Sequence, residues 1–197
     1  MTVRQAHAGD RSTAAVTLAR AFADDPAMTY IFPDPIDRSR RLPRLFALLF
    51  DSDAAGMRWV GDAGTGATLW RPPGSPAAGT FEMLCRALPL LSAFGPNLIR
   101  ALRVNAAITG HFPAEPFFYL HVAGVDPLRQ GEGLGTALIR AGLARSDAAG
   151  LPVVLETATM ANVDFYRRLG FDVIAEWTVP GGGGLQIWTM RRPSAAQ

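Results

Sequence analysis

Ala15, Val16, Leu18, Ala19 and Phe22 recur at helical spacing, which predicts an amphipathic helix capped by Asp10 or Ser12 and ended by Asp24, Asp25 and Pro26. The short run Val3 to Ala6 before it reads as a strand. A second helix is predicted over Ile36 to Phe50. Two strands follow, Met57 to Asp62 and Ala67 to Arg71, joined by Gly64-Thr65-Gly66 as a hairpin and closed by Pro72, Pro73, Gly74 and Pro76. From Phe81 to Ile108 the chain is apolar at helical period but broken at Pro89 and Gly95-Pro96, so two or three helical pieces are expected. Phe117 to Val125, aromatic and β-branched, reads as a strand. Asp126 to Gly133 then makes a loop, Leu134 to Ala149 a helix and Val153 to Thr157 a buried strand. Asn162 to Leu169 is a short helix with Gly170 at its C′ position, and Phe171 to Val179 and Leu185 to Arg191 form a closing hairpin over four glycines.

Length and composition narrow the class without naming a function. With 197 residues, 49% hydrophobic and 18% charged, the chain has material for a core and reads as one domain over residues 1–197. Lysine is absent and all 19 basic residues are arginine, a compositional habit with no functional reading. A net charge of +2 and scattered arginines argue against a nucleic-acid partner. The dense group Arg38, Arg40, Arg41 and Arg44 falls on an amphipathic helix and reads as its solvated face. Cys85 is alone, so no internal disulfide and no metal constellation is expected. No apolar run approaches the roughly 18 residues of a membrane span, and no signal pattern opens the chain. The expectation is a soluble, cytoplasmic protein; a homodimer stays open.

The chemistry is concentrated in Val125-Asp126-Pro127-Leu128-Arg129-Gln130-Gly131-Glu132-Gly133-Leu134-Gly135-Thr136. A strand enters a glycine-rich turn that opens into a helix, whose first amides lack intrahelical acceptors and, with the dipole, form an anion site. Gly131, Gly133 and Gly135 let a phosphate approach the backbone. A diphosphate is the natural guest. A dinucleotide unit fits poorly, because Thr136 stands where the third glycine belongs and about four strands precede the turn.

Gln130-Gly131-Glu132-Gly133-Leu134-Gly135 resembles the Gln/Arg-x-x-Gly-x-Gly/Ala pattern of the GCN5-related N-acetyltransferases, the GNAT superfamily. Ala161-Asn162-Val163-Asp164-Phe165-Tyr166 through Gly170-Phe171 resembles that family's later Asn-x-x-x-Tyr-x-x-x-Gly-Phe segment. The likeness is good over residues 117–192 and looser before. It implies an α/β (α+β) GNAT fold: a mixed, mostly antiparallel sheet of about seven strands flanked by helices, with a helical insert between strands 3 and 4. The layout is similar to that of puromycin-type acetyltransferases.

The resemblance also implies the chemistry: acetyl-CoA as cosubstrate, no metal, and direct attack by a primary amine of a small molecule in a ternary complex. Backbone from Gln130 to Thr136 (Gln130, Gly131, Gly133, Leu134, Gly135, Thr136) would hold the diphosphate. The 117–125 strand would splay from its neighbour to take the pantetheine arm, with Gly124 as the expected bulge. The Val125 amide would serve the thioester carbonyl and Asn162 the pantetheine. Tyr166, with an ordinary pKa near 10, would protonate the leaving sulfur. His121 would take the amine's proton, with Tyr119 on its strand face and Glu82, Glu115 and Glu156 as other candidates. His7 and His111 have no such context. Of the apolar insert (Phe81, Met83, Leu84, Leu88, Leu91, Phe94, Leu98, Ile99), part is expected to cover the sheet and part to line an acceptor pocket beside His121 and Phe118, favouring an amine with a hydrophobic body. Peptide N-acetylation and a silent acyl-CoA sensor remain the alternatives.

Overall fold

The computed structural model describes residues 2–74 and 87–194. Their centre is one seven-stranded sheet in the order β1-β2-β3-β4-β5-β7-β6. The strands are β1 (Val3–Gln5), β2 (Arg58–Gly61), β3 (Gly66–Arg71), β4 (Phe118–Val125), β5 (Val153–Thr157), β6 (Asp172–Thr178) and β7 (Gln186–Arg192). Only β4 and β5 run parallel; every other pairing is antiparallel. This is the mixed, mostly antiparallel sheet that the sequence implied.

One face carries α1 (Arg11–Ala21), α2 (Pro26–Ile31), α3 (Pro35–Ser52), α4 (Ala87–Phe94) and α5 (Leu98–Thr109). Their core joins Leu18, Phe32, Phe46 and Phe50 to Leu69, Val122 and Ile187 of the sheet. The other face carries α6 (Leu134–Ala148) and α7 (Met160–Arg167), packed through Leu138, Ile139, Val163 and Tyr166 on Phe118, Leu120 and Leu155. The insert between strands 3 and 4 is therefore helical, as α4 and α5. Phe81, Met83 and Leu84, assigned to its apolar lining, lie outside the described residues, as do Glu82 and Cys85. Leu88, Leu91 and Ile99 are exposed rather than packed on the sheet.

Several boundaries differ for local reasons. Asp25 and Pro26 do not end the first helix but begin the next one. The Asp25 carboxylate accepts from the Ala27 and Met28 amides at 2.9 and 3.0 Å, and Pro26 takes the first turn, where its missing N–H costs nothing. Asp10 does not cap α1. It closes a capping box with His7 around a 3-10 turn, Ala8–Asp10, that leads into the helix. Thr159, three residues before Asn162, caps α7 and accepts from the Asn162 amide at 3.3 Å.

Candidate functional site

The glycine loop folds as a pinned turn with an open helix end. After β4, Asp126 caps a 3-10 turn, Pro127–Arg129, and its carboxylate also meets Arg20 at 3.0 Å. Arg129 and Glu132 close the loop with a forked ion pair at 2.7–3.0 Å. Gly131 and Gly133 have φ of 84° and 82°, the left-handed region that glycine enters without cost. A Cβ at either position would meet nothing within 4 Å, so backbone conformation rather than crowding by the protein requires them. Gly133 is the N-cap of α6 and supplies no side-chain bond; the first helical amide with a partner is Ala137, bonded to the Gly133 carbonyl at 3.1 Å. The amides of Leu134, Gly135 and Thr136 are left without an intrahelical acceptor. Gly135 is different again: its φ is ordinary, and a Cβ would make only van der Waals contact with Val125 and Phe165 at 3.6 and 3.7 Å.

Beside this helix end the sheet opens. Tyr119 pairs with Val154, and no rung joins β4 to β5 beyond it, while β4 stays paired with β3 as far as Val125↔Gly66. The Asp126 amide donates to the Thr65 carbonyl on the β3 side at 2.9 Å. Alternation along the strand therefore turns the Val125 amide toward the open edge. The Gln130 side chain donates to the Val125 carbonyl at 3.3 Å and ties the loop to that edge. The bulge expected at Gly124 lies elsewhere. Gly124 pairs regularly with Ala67, and the register slips between Leu120 and Val122, which leaves His121 as the extra residue. Gly124 lacks a side chain because α1 lies close above it: a Cβ would come within 2.8 Å of Leu18 and 3.0 Å of Ala21.

A cleft of about 730 Å³ runs along the open edge to the helix end. Val125, Gln130, Gly131, Gly133, Leu134, Gly135, Thr136, Asn162 and Tyr166 all line it, so every residue assigned from the sequence to cofactor binding, and the assigned acid, meet in one space. Arg20, Arg129 and Arg168 give it positive charge, whereas Asp24 and Asp25 line it near the start of α2. Tyr166 is 9% exposed, and its hydroxyl has no hydrogen-bond partner among the described residues. Burial first, and the Asp25 carboxylate second, push its pKa above the ordinary phenol value. It stays protonated across the neutral range.

His121 does not line this cleft. It sits on the face of the sheet that carries α1 to α5, away from Phe118, which packs under α6. The expectation that Phe118 and His121 share a pocket wall is thus corrected: the strand alternation separates them. Tyr119 does share the face, its ring stacked on the imidazole at 5.5 Å between centroids. The His121 Nδ1 lies 2.8 Å from Asp53 Oδ2, and Arg71 Nε donates to Asp53 Oδ1 at 2.6 Å. Asp53, at the end of α3, has no exposed side-chain surface. Burial pushes its carboxyl up, but His121 and Arg71 outweigh burial and hold it below its usual range. Glu156 faces the same side from β5. Neither of its carboxylate oxygens has a hydrogen-bond partner within bonding geometry among the described residues; burial pushes its pKa up to about 8, and the nearby Tyr119 hydroxyl pulls only weakly the other way.

Other candidates have structural duties. Glu115 pairs with Arg191 at 2.9 Å, His7 accepts from the Gly9 amide, and His111 stacks on Trp177 at 4.1 Å. Arg38 donates to the Phe32 carbonyl and Arg41 pairs with Asp37, so half of the arginine group holds the fold. Asp53 was missed by sequence reasoning. It stands one residue from Asp51-Ser52 at a helix end, where nothing local separates it from an ordinary surface carboxylate.

A family model for the acetyltransferase (GNAT) domain matches residues 100–173. Mycothiol acetyltransferase of Nocardiopsis dassonvillei is 30% identical over 156 residues, covering 78% of this chain and 36% of that protein. The chain thus spans about a third of that relative's length. An uncharacterized N-acetyltransferase of Schizosaccharomyces pombe is 26% identical over 186 residues, covering 87% of this chain and 74% of the other. Among solved structures, "histone acetyltransferase HPA2 and related acetyltransferase" from Corynebacterium glutamicum superposes with a TM-score of 0.75 at 26% identity, covering 98% of this chain and 96% of that one. Sheet order, parted central strands and these likenesses agree: residues 100–173 match the GNAT acetyltransferase domain, and the chain has the GNAT fold.

Proposed function

We propose that the chain transfers the acetyl group of acetyl-CoA to a primary amine of a small molecule, by direct attack in a ternary complex. One observation carries the reading. The uncapped amides of α6, the freed edge of β4 with the Val125 amide, and the unbonded Tyr166 hydroxyl share one cleft. Residues 130–136 would bind the diphosphate, helped by Arg129 and Arg168. The free edge of β4 would take the amide-bearing arm as an added strand, and Asn162 would bond it from α7. The Val125 amide would then donate to the thioester oxygen as negative charge develops there. The amine nitrogen forms its bond to the carbonyl carbon, the C–S bond breaks, and Tyr166 gives the sulfur its proton.

The amine must first lose a proton, since an alkylamine with a pKa of about 10 is almost wholly protonated at pH 7. His121 is the proposed acceptor. The strands part just beyond Tyr119, and His121 flanks that opening on the face that carries α1 to α5. An amine entering from that face meets the imidazole directly or through one water. Glu156 has its own claim as base: it flanks the same opening from β5, and its carboxyl is buried, without a hydrogen bond among the described residues, and poised near pH 8.

Thiol release from acetyl-CoA, followed across arylalkylamines, amino-nucleosides, aminoglycosides, polyamines and short peptides, tests the reading. Release that depends on one class of amine supports it and names the acceptor chemistry. Silence across the panel with acetyl-CoA bound turns it toward a sensor. His121→Gln and Glu156→Gln then separate the two bases: the variant that removes the acidic limb of the kcat/KM profile identifies the group that must be deprotonated.

A further inference from the structure

We propose that Asp53 is a positioning residue that fixes the tautomer of His121, holding the ring proton on Nδ1 so that Nε2 is the proton acceptor. The inference rests on the acetyl-transfer reading for its consequence, but not for its geometry. An ionised carboxylate only accepts hydrogen bonds, so the nitrogen 2.8 Å from Asp53 Oδ2 carries the proton, and that nitrogen is Nδ1. The neutral ring then bears its lone pair on Nε2.

Asp53 is itself held from three sides. Arg71 Nε occupies Oδ1, the Arg58 guanidinium donates to the Asp53 backbone carbonyl, and the Asp53 amide bonds back to Leu49 of α3. The imidazole is held in turn, with Tyr119 stacked at an interplanar angle of 29°. The bulge makes His121 the residue without a partner on β3, which frees its side chain to take this direction. Among the described residues, the charged and titratable groups around it are Asp53 at the end of α3, Arg71 on β3, Arg58 on β2, Tyr119 on β4 and Glu156 on β5. A carboxylate placed only for the fold would not need one oxygen on the arginine and the other on the imidazole of a strand flanking the opening.

Asp53→Asn tests this with a definite sign. Arg71 Nε requires an oxygen, so the carboxamide turns its carbonyl to Arg71 and its NH2 to His121 Nδ1. Nδ1 must then accept, the ring proton moves to Nε2, and the acceptor site is lost. Nitrogen-15 NMR of histidine-labelled protein, with His121→Gln assigning the signal, is expected to show Nδ1–H in the unmodified chain and Nε2–H in the variant. With the amine found by thiol release, kcat is expected to fall about tenfold or more while acetyl-CoA affinity holds. In a His121→Gln background the same change is expected to cost nothing further in kcat. An Nε2–H tautomer in the unmodified chain overturns the proposal even if the variant does not fold. So does an equal loss of kcat in both backgrounds, or unchanged kcat in Asp53→Asn. If no amine supports release, acetyl transfer fails while the tautomer measurement still decides the Asp53–His121 relation.

Discussion

Tyr119 and Val154 form the last rung between β4 and β5, and the β4 edge beyond them, from His121 to Val125, is left unpaired on that side. Beyond that pair, the Val125 amide turns to the open edge and the Tyr166 hydroxyl enters the cleft without a partner. Tyr166→Phe removes one oxygen from a buried ring and leaves the diphosphate site untouched. Turnover is expected to drop at least about tenfold with acetyl-CoA affinity nearly unchanged. Steady-state rates and calorimetric binding check the split. Weaker binding at unchanged turnover would remove Tyr166 from the role of acid.

Gly135 separates what the fold needs from what the ligand needs. An added methyl would meet only Val125 and Phe165 at ordinary distances, and alanine suits a helix better by up to about 1 kcal/mol. Gly135→Ala is therefore expected to melt at or above the parent temperature and yet bind acetyl-CoA about tenfold or more weakly, because the methyl projects where a diphosphate would lie against the α6 amides. Gly133→Val is expected to lose binding as well, but with a strained backbone at φ 82°, so it decides less. Unchanged affinity in Gly135→Ala would move the anion site away from this helix end.

Asp53 and Glu156 pull stability in opposite directions with pH. The Asp53 carboxyl is held low in the fold by His121 and Arg71 against the cost of burial, so its contribution is present above the ordinary carboxylate range and is lost as pH falls below it. Glu156 rises to about 8 by burial, so the folded chain keeps a proton that the unfolded chain releases near pH 4.3. Its effect makes stability fall as pH rises from about 4 to about 8 and levels off above. Glu156→Gln abolishes that slope. The melting temperature of the variant minus that of the parent should grow between pH 5 and pH 8; a constant difference would show Glu156 to be solvated and ordinary.

The glycine loop was legible because a turn that opens into an uncapped helix end is built from consecutive residues, and Gly131 to Thr136 state it locally. The strands β4 and β5 were legible from their aromatic and β-branched runs, but their parting was implied only by resemblance, since no residue in either strand encodes the missing rungs. The bulge was assigned to Gly124 because glycine is the local signature of one. In the fold that glycine serves the close approach of α1, and the slip falls at His121, where the pairing of whole strands decides it. Asp25-Pro26 was ambiguous in principle, as the pair that stops one helix also starts another. The Asp53–His121 contact spans 68 positions between a helix end and a strand, and no local pattern reports it.

The seat of α6 rests on Gly142 and Trp70. Trp70 is fully buried in β3, edge-on to Trp59 at 6.1 Å, and a Cβ at Gly142 would fall inside the space its indole occupies. Two effects of Gly142→Ala compete. Helix propensity favours alanine by about 1 kcal/mol, while overfilling a close-packed core costs about 1–3 kcal/mol. The indole is fully buried between the sheet and α6, and a Cβ 2.2 Å from its ring atoms forces something to shift, so overfilling should win. A melting temperature lowered by several degrees is expected. Because relief comes most readily by moving α6 outward, the uncapped amides at its start should shift relative to the β4 edge, and acetyl-CoA affinity should fall with stability. A variant that melts lower but binds acetyl-CoA as tightly as the parent would show that the helix end is held by its loop, through Arg129, Glu132 and Gln130, rather than by the core beneath it.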